Sequence, residues 1–391
     1  MKQEVRSVHS RRLTSRLLLT ALVAVTFTGC GQTAERADTP EELAAAFLAN
    51  LSELCGQAFA GVVLKGPDTD PAFNPGDPMV LHIRECGPNE VRTPVWMMAV
   101  DDRTPPRPNN DASRTFVFTT TPVGLDVRHD HRHSDGRMEP NSLYGGTAAN
   151  PPIATEPMSA TRMEFKRMTD EGSSTGWIAE ILPGRFVYGT QTDGEWRHHF
   201  EFDLTTPVPV PGDPWGNPPL GTVASLPDAQ EAFWSNLAQH CGQAFPGQLT
   251  RLPDGSDRFT GDEELIVHFR ECEDHRLKLP FHVDDDRSRT WVFLRTTAGM
   301  DLRHDHRLES GAPDPQPRST WYGAPTWEDG TPNRQEFLRE DLSDGVRTGW
   351  RVEIIPGERY TYGTIRDGEW NFRADFDLTT PVEAPPTPWG H

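Results

Sequence analysis

Four histidines, set two by two, are the residues of this sequence best suited to chemistry. His129 and His131 lie in GLDVRHDHR, and His304 and His306 lie in GMDLRHDHR. Imidazoles at i and i+2 on a strand point the same way and can share one divalent metal ion. His82 in HIREC and His268 in HFREC are candidates for a third ligand. Asp135 adds a carboxylate in the first half, where Ser310 stands in the second. The competing reading is structural: a rim histidine satisfied by a carboxylate, a backbone group or water. The exchange of His133 for Leu308 favours it, because the row then tolerates an apolar side chain. Trp177 and Trp350 are candidates for lining a sugar or lipid pocket, with core packing as the alternative. No GxSxG, GxxxxGK or HExxH occurs, so no catalytic residue is assigned.

The Gly-then-His-x-His pattern is similar to the first cupin motif but departs from it. Only four residues separate Gly124 from His129, and no histidine follows Pro183-Gly184 as the second cupin motif requires. Membership of that family is not implied.

The elements that carry these residues occur twice. CGQAF recurs at Cys55 and Cys241, SRTFVF and SRTWVF at Ser113 and Ser288, and a Tyr-Gly step at Tyr144 and Tyr322. DGEW recurs at Asp193 and Asp367, and PWG at Pro214 and Pro388. The offset is 186 residues before an insertion, DDRTPPRPNNDA, and about 174 after it. That period is far too long for a solenoid and implies a duplicated domain. The expected limits are 40–217 and 226–391, joined by a linker at 218–225.

Each copy should open with a helix. Leu43, Phe47, Leu51 and Leu54 share one face in the first, and Ala229, Phe233 and Leu237 in the second, with Asp228 or Ser225 as cap. The rest reads as seven or eight short strands joined by turns such as Asp367-Gly368. The expected class is mainly β, with two tandem antiparallel meanders. A barrel in the broad manner of lipocalins is the first choice and a sandwich the second. On such a strand His304 and His306 continue the inward row of Met300 and Leu302. Asp301, Arg303, Asp305 and Arg307 face outward, paired across strands.

Residues 1–29 read as an export signal, with a basic start and a short apolar run ending in FTGC. That ending resembles a bacterial lipobox, which implies that Cys30 is lipidated and anchors the chain to a membrane, with 30–39 as tether. Gly31 is not the inner-membrane retention aspartate, so an outer-membrane or periplasmic address is implied for a Gram-negative cell. Arg11-Arg12 is also compatible with a twin-arginine signal. Cys55 with Cys86, and Cys241 with Cys272, are each 31 residues apart and should form one disulfide per copy. Removing the five Lys/Arg and the one Glu of 1–29 takes the formal charge from −20 to −24, which argues against nucleic acid as partner. Two functions follow as expectations. One is a non-catalytic, lipid-anchored envelope protein, ligand-binding or structural, with two equivalent pockets or surfaces and an unknown ligand. The other is a metal-binding protein or metal-dependent enzyme with one site per copy.

Overall fold

The computed structural model describes residues 38–102, 106–148, 157–168, 172–253, 259–314 and 320–391. Cys30, the signal at 1–29 and most of the tether lie outside the described residues. Helix α1 (Pro40–Ser52) starts with reciprocal caps. Glu42 N–H donates to the Thr39 hydroxyl, Thr39 N–H donates to the Glu42 carboxylate, and Pro40 fills the first turn, where no N–H is needed. Helix α2 (Asp228–Ala238) differs from expectation, since neither Asp228 nor Ser225 caps it. Pro227 holds the cap position, and Asp228 instead puts its charge in the first turn, where the helix dipole favours it.

The first sheet contains β1 (Ala58–Lys65), β2 (Pro78–His82), β3 (Glu85–Cys86), β4 (Glu90–Met97), β5 (Asp111–Thr121) and β6 (Gly124–His131). It continues with β7 (Tyr144–Ala148), β8 (Arg162–Met168), β9 (Ser174–Leu182), β10 (Arg185–Thr192) and β11 (Glu195–Val208). The second contains β12 (Ala244–Arg251), β13 (Leu265–His268), β14 (Glu271–Cys272), β15 (Arg276–Val283), β16 (Asp286–Thr296) and β17 (Gly299–His306). It ends with β18 (Tyr322–Pro325), β19 (Arg334–Leu338), β20 (Thr348–Ile355), β21 (Arg359–Arg366) and β22 (Glu369–Asp377).

Each sheet is a nearly closed antiparallel barrel. The first runs β7-β6-β5-β4-β2-β1-β11-β10-β9-β8, and the second repeats that order strand for strand. Pairing of β1 with β11 joins the two ends of the meander. At the remaining gap Gly146 of β7 packs against Phe165 of β8, and in the second sheet Thr326 bridges Phe337. The barrel reading therefore holds over the sandwich. The strand count rises from the expected seven or eight to eleven in each sheet because AFPGQLTR, the two-residue Glu271–Cys272, YGAP and RQEFL also pair. Asp367 and Gly368 both take the left-handed conformation, as a two-residue hairpin between β21 and β22 demands.

Alternate strand residues fill each barrel, and the helix supplies the rest of the core. Phe47, Leu48 and Leu51 of α1 join Phe118, Leu125 and Val127 in one apolar cluster, as Phe233 and Leu237 of α2 join Phe293, Met300 and Leu302 in the other. Disulfides Cys55–Cys86 and Cys241–Cys272 tie the chain just beyond each helix to the hairpin that begins the sheet. A closed loop of that length stabilises by about 3–4 kcal/mol through the unfolded chain.

The outward rows of β6 and β17 are not solvated. Asp126, Arg128, Asp130 and Arg132, with Asp301, Arg303, Asp305 and Arg307, are each at most 5% exposed. The expected cross-strand pairing is replaced mainly by pairing along the strand, as in the two-bond contact of Arg132 with Asp130 at 2.8 Å. These rows are buried because the barrels meet there: Arg307 Nη2 donates to Asp126 at 2.8 Å across the junction.

A second junction pair has a particular symmetry. Glu90 opens β4 and Arg276 opens β15, and the 186-residue offset makes them equivalent positions. They bond each other at 2.8 Å. Burial alone would raise the Glu90 carboxyl, but Arg276 and Arg92 outweigh it and hold it at about 2. Arg276→Glu should lower unfolding free energy by roughly 2–4 kcal/mol. Exchange of both residues (Glu90→Arg with Arg276→Glu) should recover more than half of that loss in urea titrations. A double variant no more stable than the sum of the single changes would remove the pair from the junction's energetics.

Candidate functional site

The histidine motif folds as an inward row for only part of its length. Leu125 and Val127 enter the first core and Met300 and Leu302 the second, and His129 and His304 follow them inside. His131 and His306 are already half-buried at the barrel mouth, and Leu308 is exposed, so the inward row ends earlier than expected.

His129 and His304 have matching surroundings. The His129 ring stacks on Tyr144 at 4.7 Å and 9°, and the His304 ring on Tyr322 at 4.6 Å and 5°. Each Nδ1–H donates to the carbonyl of that same tyrosine at 3.2 Å. A carbonyl can only accept, so Nε2 carries no proton in the neutral ring and accepts the hydroxyl of a second tyrosine. That donor is Tyr188 at 2.7 Å in the first barrel and Tyr362 in the second. Trp177 and Trp350 complete the two clusters, each 5.1 Å from the imidazole. Burial drives both imidazoles down to about 3, against the opposing hydrogen bonds to the tyrosine carbonyls.

The proposed metal set is not assembled. Both ring nitrogens of His129 are engaged, while His131 bonds Glu139 through Nδ1 at 2.5 Å and Ser113 through Nε2 at 3.2 Å. His306 holds Asp314 at 2.9 Å. His82 sits near Trp96, whose cluster with Val80 and Ala112 is separate from the barrel core that encloses His129. The strand alternation that turns Leu81 inward turns His82 away. His268 lies near His282, the residue equivalent to Trp96. Asp135 is taken up by Arg137. No group of three or more His, Cys, Asp or Glu side chains fit to hold a metal occurs among the described residues.

A cleft between the barrels offers more. It encloses about 1020 Å³. The first barrel contributes Tyr144 of β7 and, from the loop before it, His133, Arg137, Asn141 and Ser142. The second barrel contributes His306, Trp321, Tyr322, Trp327 and Arg339. Tyr144 is 44% exposed and Trp327 37%. The Arg137 guanidinium lies 4.0 Å from the Trp327 ring centre, and His133 reaches Glu340 at 3.2 Å, so both contacts cross the cleft. Residues of both barrels thus line one cleft. Trp177 and Trp350 do not line it; they back the tyrosines that do.

Two features fix those tyrosines. Leu143 and Trp321, immediately before them, have φ of 65° and 57°, a left-handed conformation that is costly for bulky side chains. Gly145 and Gly323, immediately after, lie so close to the neighbouring strand that a Cβ would come within 1.8 Å of a carbonyl oxygen of Val127 or Leu302. The repeated Tyr-Gly step is the signal in the sequence that marks both tyrosines of this cleft.

No protein-family model and no curated protein matches the chain. Two solved structures are similar to it at low identity. One is a protein of unknown function of the DUF3598 family from Nostoc punctiforme, 11% identical, covering 87% of this chain and 98% of that one with a TM-score of 0.20. The other is a candidate outer membrane protein from Bacteroides fragilis, 7% identical, covering 83% and 97% with a TM-score of 0.16.

Neutral imidazoles at His129 and His304 carry a pH signature. From pH 6.5 down to about 3 the unfolded chain binds a proton at each that the folded chain refuses. Stability is therefore whole above pH 6.5 and falls as pH drops toward 3. Imidazole ¹⁵N shifts of the two residues should stay those of the neutral Nδ1–H form at pH 5. A midpoint near 6.5 for either would contradict the burial described.

Proposed function

We propose that the chain is a non-catalytic, lipid-anchored envelope protein that binds a ligand in the cleft between two copies of one barrel domain. The observation that carries this reading is the cleft itself, which draws one histidine-backed tyrosine from each sheet. Exposed aromatic rings forfeit about 25 cal/mol for each Å² left in water. Their retention on a strained backbone in both halves is accounted for by an occupant. The two disulfides fit an oxidising compartment, and the lipobox-like FTGC supplies the anchor. The limits 40–217 and 226–391, the linker 218–225 and the outer-membrane address belong to this reading.

Two measurements test it. Full-length chain should incorporate labelled palmitate and sediment with membranes, and Cys30→Ser should abolish both; unchanged labelling in that variant would refute the anchor. Native mass spectrometry of the chain purified from its own membranes should show one non-covalent ligand per chain, lost on Tyr144→Ala. Two ligands per chain would return the site to one pocket per barrel.

A further inference from the structure

We infer that the cleft between the barrels takes a segment of a neutral oligosaccharide, a conclusion that rests on the ligand-binding reading above and names its chemical class. The lining has the composition that sugar rings require. Tyr144, Tyr322 and Trp327 supply aromatic faces against which the C–H face of a pyranose can pack, while side chains around them supply both donors and acceptors. The tyrosine rings are held from behind. Each has one face covered by a buried imidazole whose two nitrogens are already bonded, so the ring is oriented before a ligand arrives. Preorganised rings lose little freedom on binding.

The polar groups point to hydroxyls rather than to charge. Asn141 presents a neutral amide donor and acceptor to the cleft, and behind it the hydroxyls of Ser142 and Thr320 accept from the backbone N–H groups of His131 and His306, each keeping acceptor capacity. Its ionic groups are largely matched already: His133 holds Glu340 at 3.2 Å, His306 holds Asp314 at 2.9 Å, and Arg137 holds Asp135. At these pairs an anionic ligand would have to displace a carboxylate and a cationic ligand a cation, and the other charged groups of the lining, Arg339 and Asp341, give and take hydroxyl hydrogen bonds as readily. A hydroxyl can add to such a pair without breaking it, because a carboxylate has about four acceptor sites and a guanidinium five donors. One further donor waits. Trp321 lines the cleft, and its indole N–H is buried without a hydrogen-bond partner among the described residues.

An acyl chain fits poorly. Among the described residues no Leu, Ile, Val or Phe lines the cleft; its apolar surface is Met138, Ala324, two prolines and the aromatic rings. The size argues against a single sugar. About 1020 Å³ stands at the top of the roughly 300–1,000 Å³ spanned by small-molecule sites, enough for several linked rings.

The test is calorimetric titration of the full chain, extracted in detergent, with chitohexaose, maltohexaose, cellohexaose and a neutral mannan hexamer. A galacturonic acid hexamer and oleate serve as charged and lipidic controls. At least one neutral hexamer should bind, quench the fluorescence of Trp321 and Trp327, and lose about tenfold or more in affinity on Trp327→Ala or Tyr144→Ala. Tyr144→Phe keeps the ring and should bind within about threefold of the unaltered chain, which separates loss of stacking from loss of fold. Binding of oleate or of the acidic hexamer alone, sensitive to the same substitutions, would overturn the neutral-glycan class and leave the ligand cleft standing. Binding of a neutral hexamer that ignores both alanine substitutions would place the sugar elsewhere and overturn the inference. Failure of every neutral hexamer to bind would overturn the inference, while the ligand-binding reading beneath it stands or falls separately on the native mass spectrum.

Discussion

Desolvated charge at the meeting of β6 and β17 is the constraint on which the rest of this architecture depends. Eight Asp and Arg side chains leave water there, and none can do so unpaired without a cost of several kcal/mol. The sequence meets this by spacing: an aspartate two residues before an arginine on the same strand gives each cation a partner on its own face, as in Asp130–Arg132 and Asp305–Arg307. Such pairs are preformed within each barrel. What they leave open is a small number of bonds that only the other barrel can complete, and Arg307 to Asp126 is the clearest. Burial holds Asp305 and Asp126 back from ionising, yet the arginines beside them outweigh it and keep both carboxyls below their ordinary range. A junction of this kind contributes less to net stability than an apolar one of equal size, but it admits few alternative registers.

The junction is nearly two-fold, and its departures from symmetry matter. Equivalent segments approach each other from both sides: Gly136 lies against Thr297, and Gly311 against Val123. Yet Asp126 reaches Arg307 while Arg132, the counterpart of Arg307, spends its bonds on Asp130 and the Gly216 carbonyl. Position 90 and its counterpart 276 carry opposite signs. Two copies of the first barrel would set glutamate against glutamate, and two of the second arginine against arginine. The sequence thus favours the pairing of unlike halves within one chain. PWG has a local role in each half: Trp215 and Trp389 donate backbone N–H groups to Ala112 and Arg287, which lays the following glycine under the Arg132 or Arg307 side chain.

The barrel class was legible because it is written in period-two alternation and in turn residues, both local. The disulfide pairing was legible for the same reason, from matched spacing alone. Orientation of His129 and His304 inward also followed from alternation. What could not be read was anything that depends on a second surface. A row of Asp and Arg on a strand looks solvated until another barrel covers it, and no single-strand pattern distinguishes the two cases. His82 was grouped with His129 because both recur, but recurrence carries no information about which face of a sheet a residue takes. The cleft escaped notice for a related reason: His133, Arg137 and Trp327 occupy loops whose sequences differ between the halves, so the repeat that revealed the fold concealed the site.

The same two strands serve both the junction and the cleft, and this couples them. On β6 and β17 the outward residues build the interface while the inward histidines hold the rings of Tyr144 and Tyr322. The loop after β6 carries Arg137 and Asn141 to the cleft, and the loop after β17 carries Asp314 and Thr320. A change in how the barrels meet must therefore move the two cleft walls relative to each other, since Tyr144 and Tyr322 pair directly with His129 of β6 and His304 of β17. Arg128 shows the coupling at one residue: it bonds Asp126 within the buried row while its guanidinium lies 5.7 Å from the ring of Trp321, which faces the cleft from the other barrel. A site divided between two barrels needs its halves held at fixed separation to gain from both. The bonds from Arg307 to Asp126 and from Arg276 to Glu90 hold the two barrels together on that side.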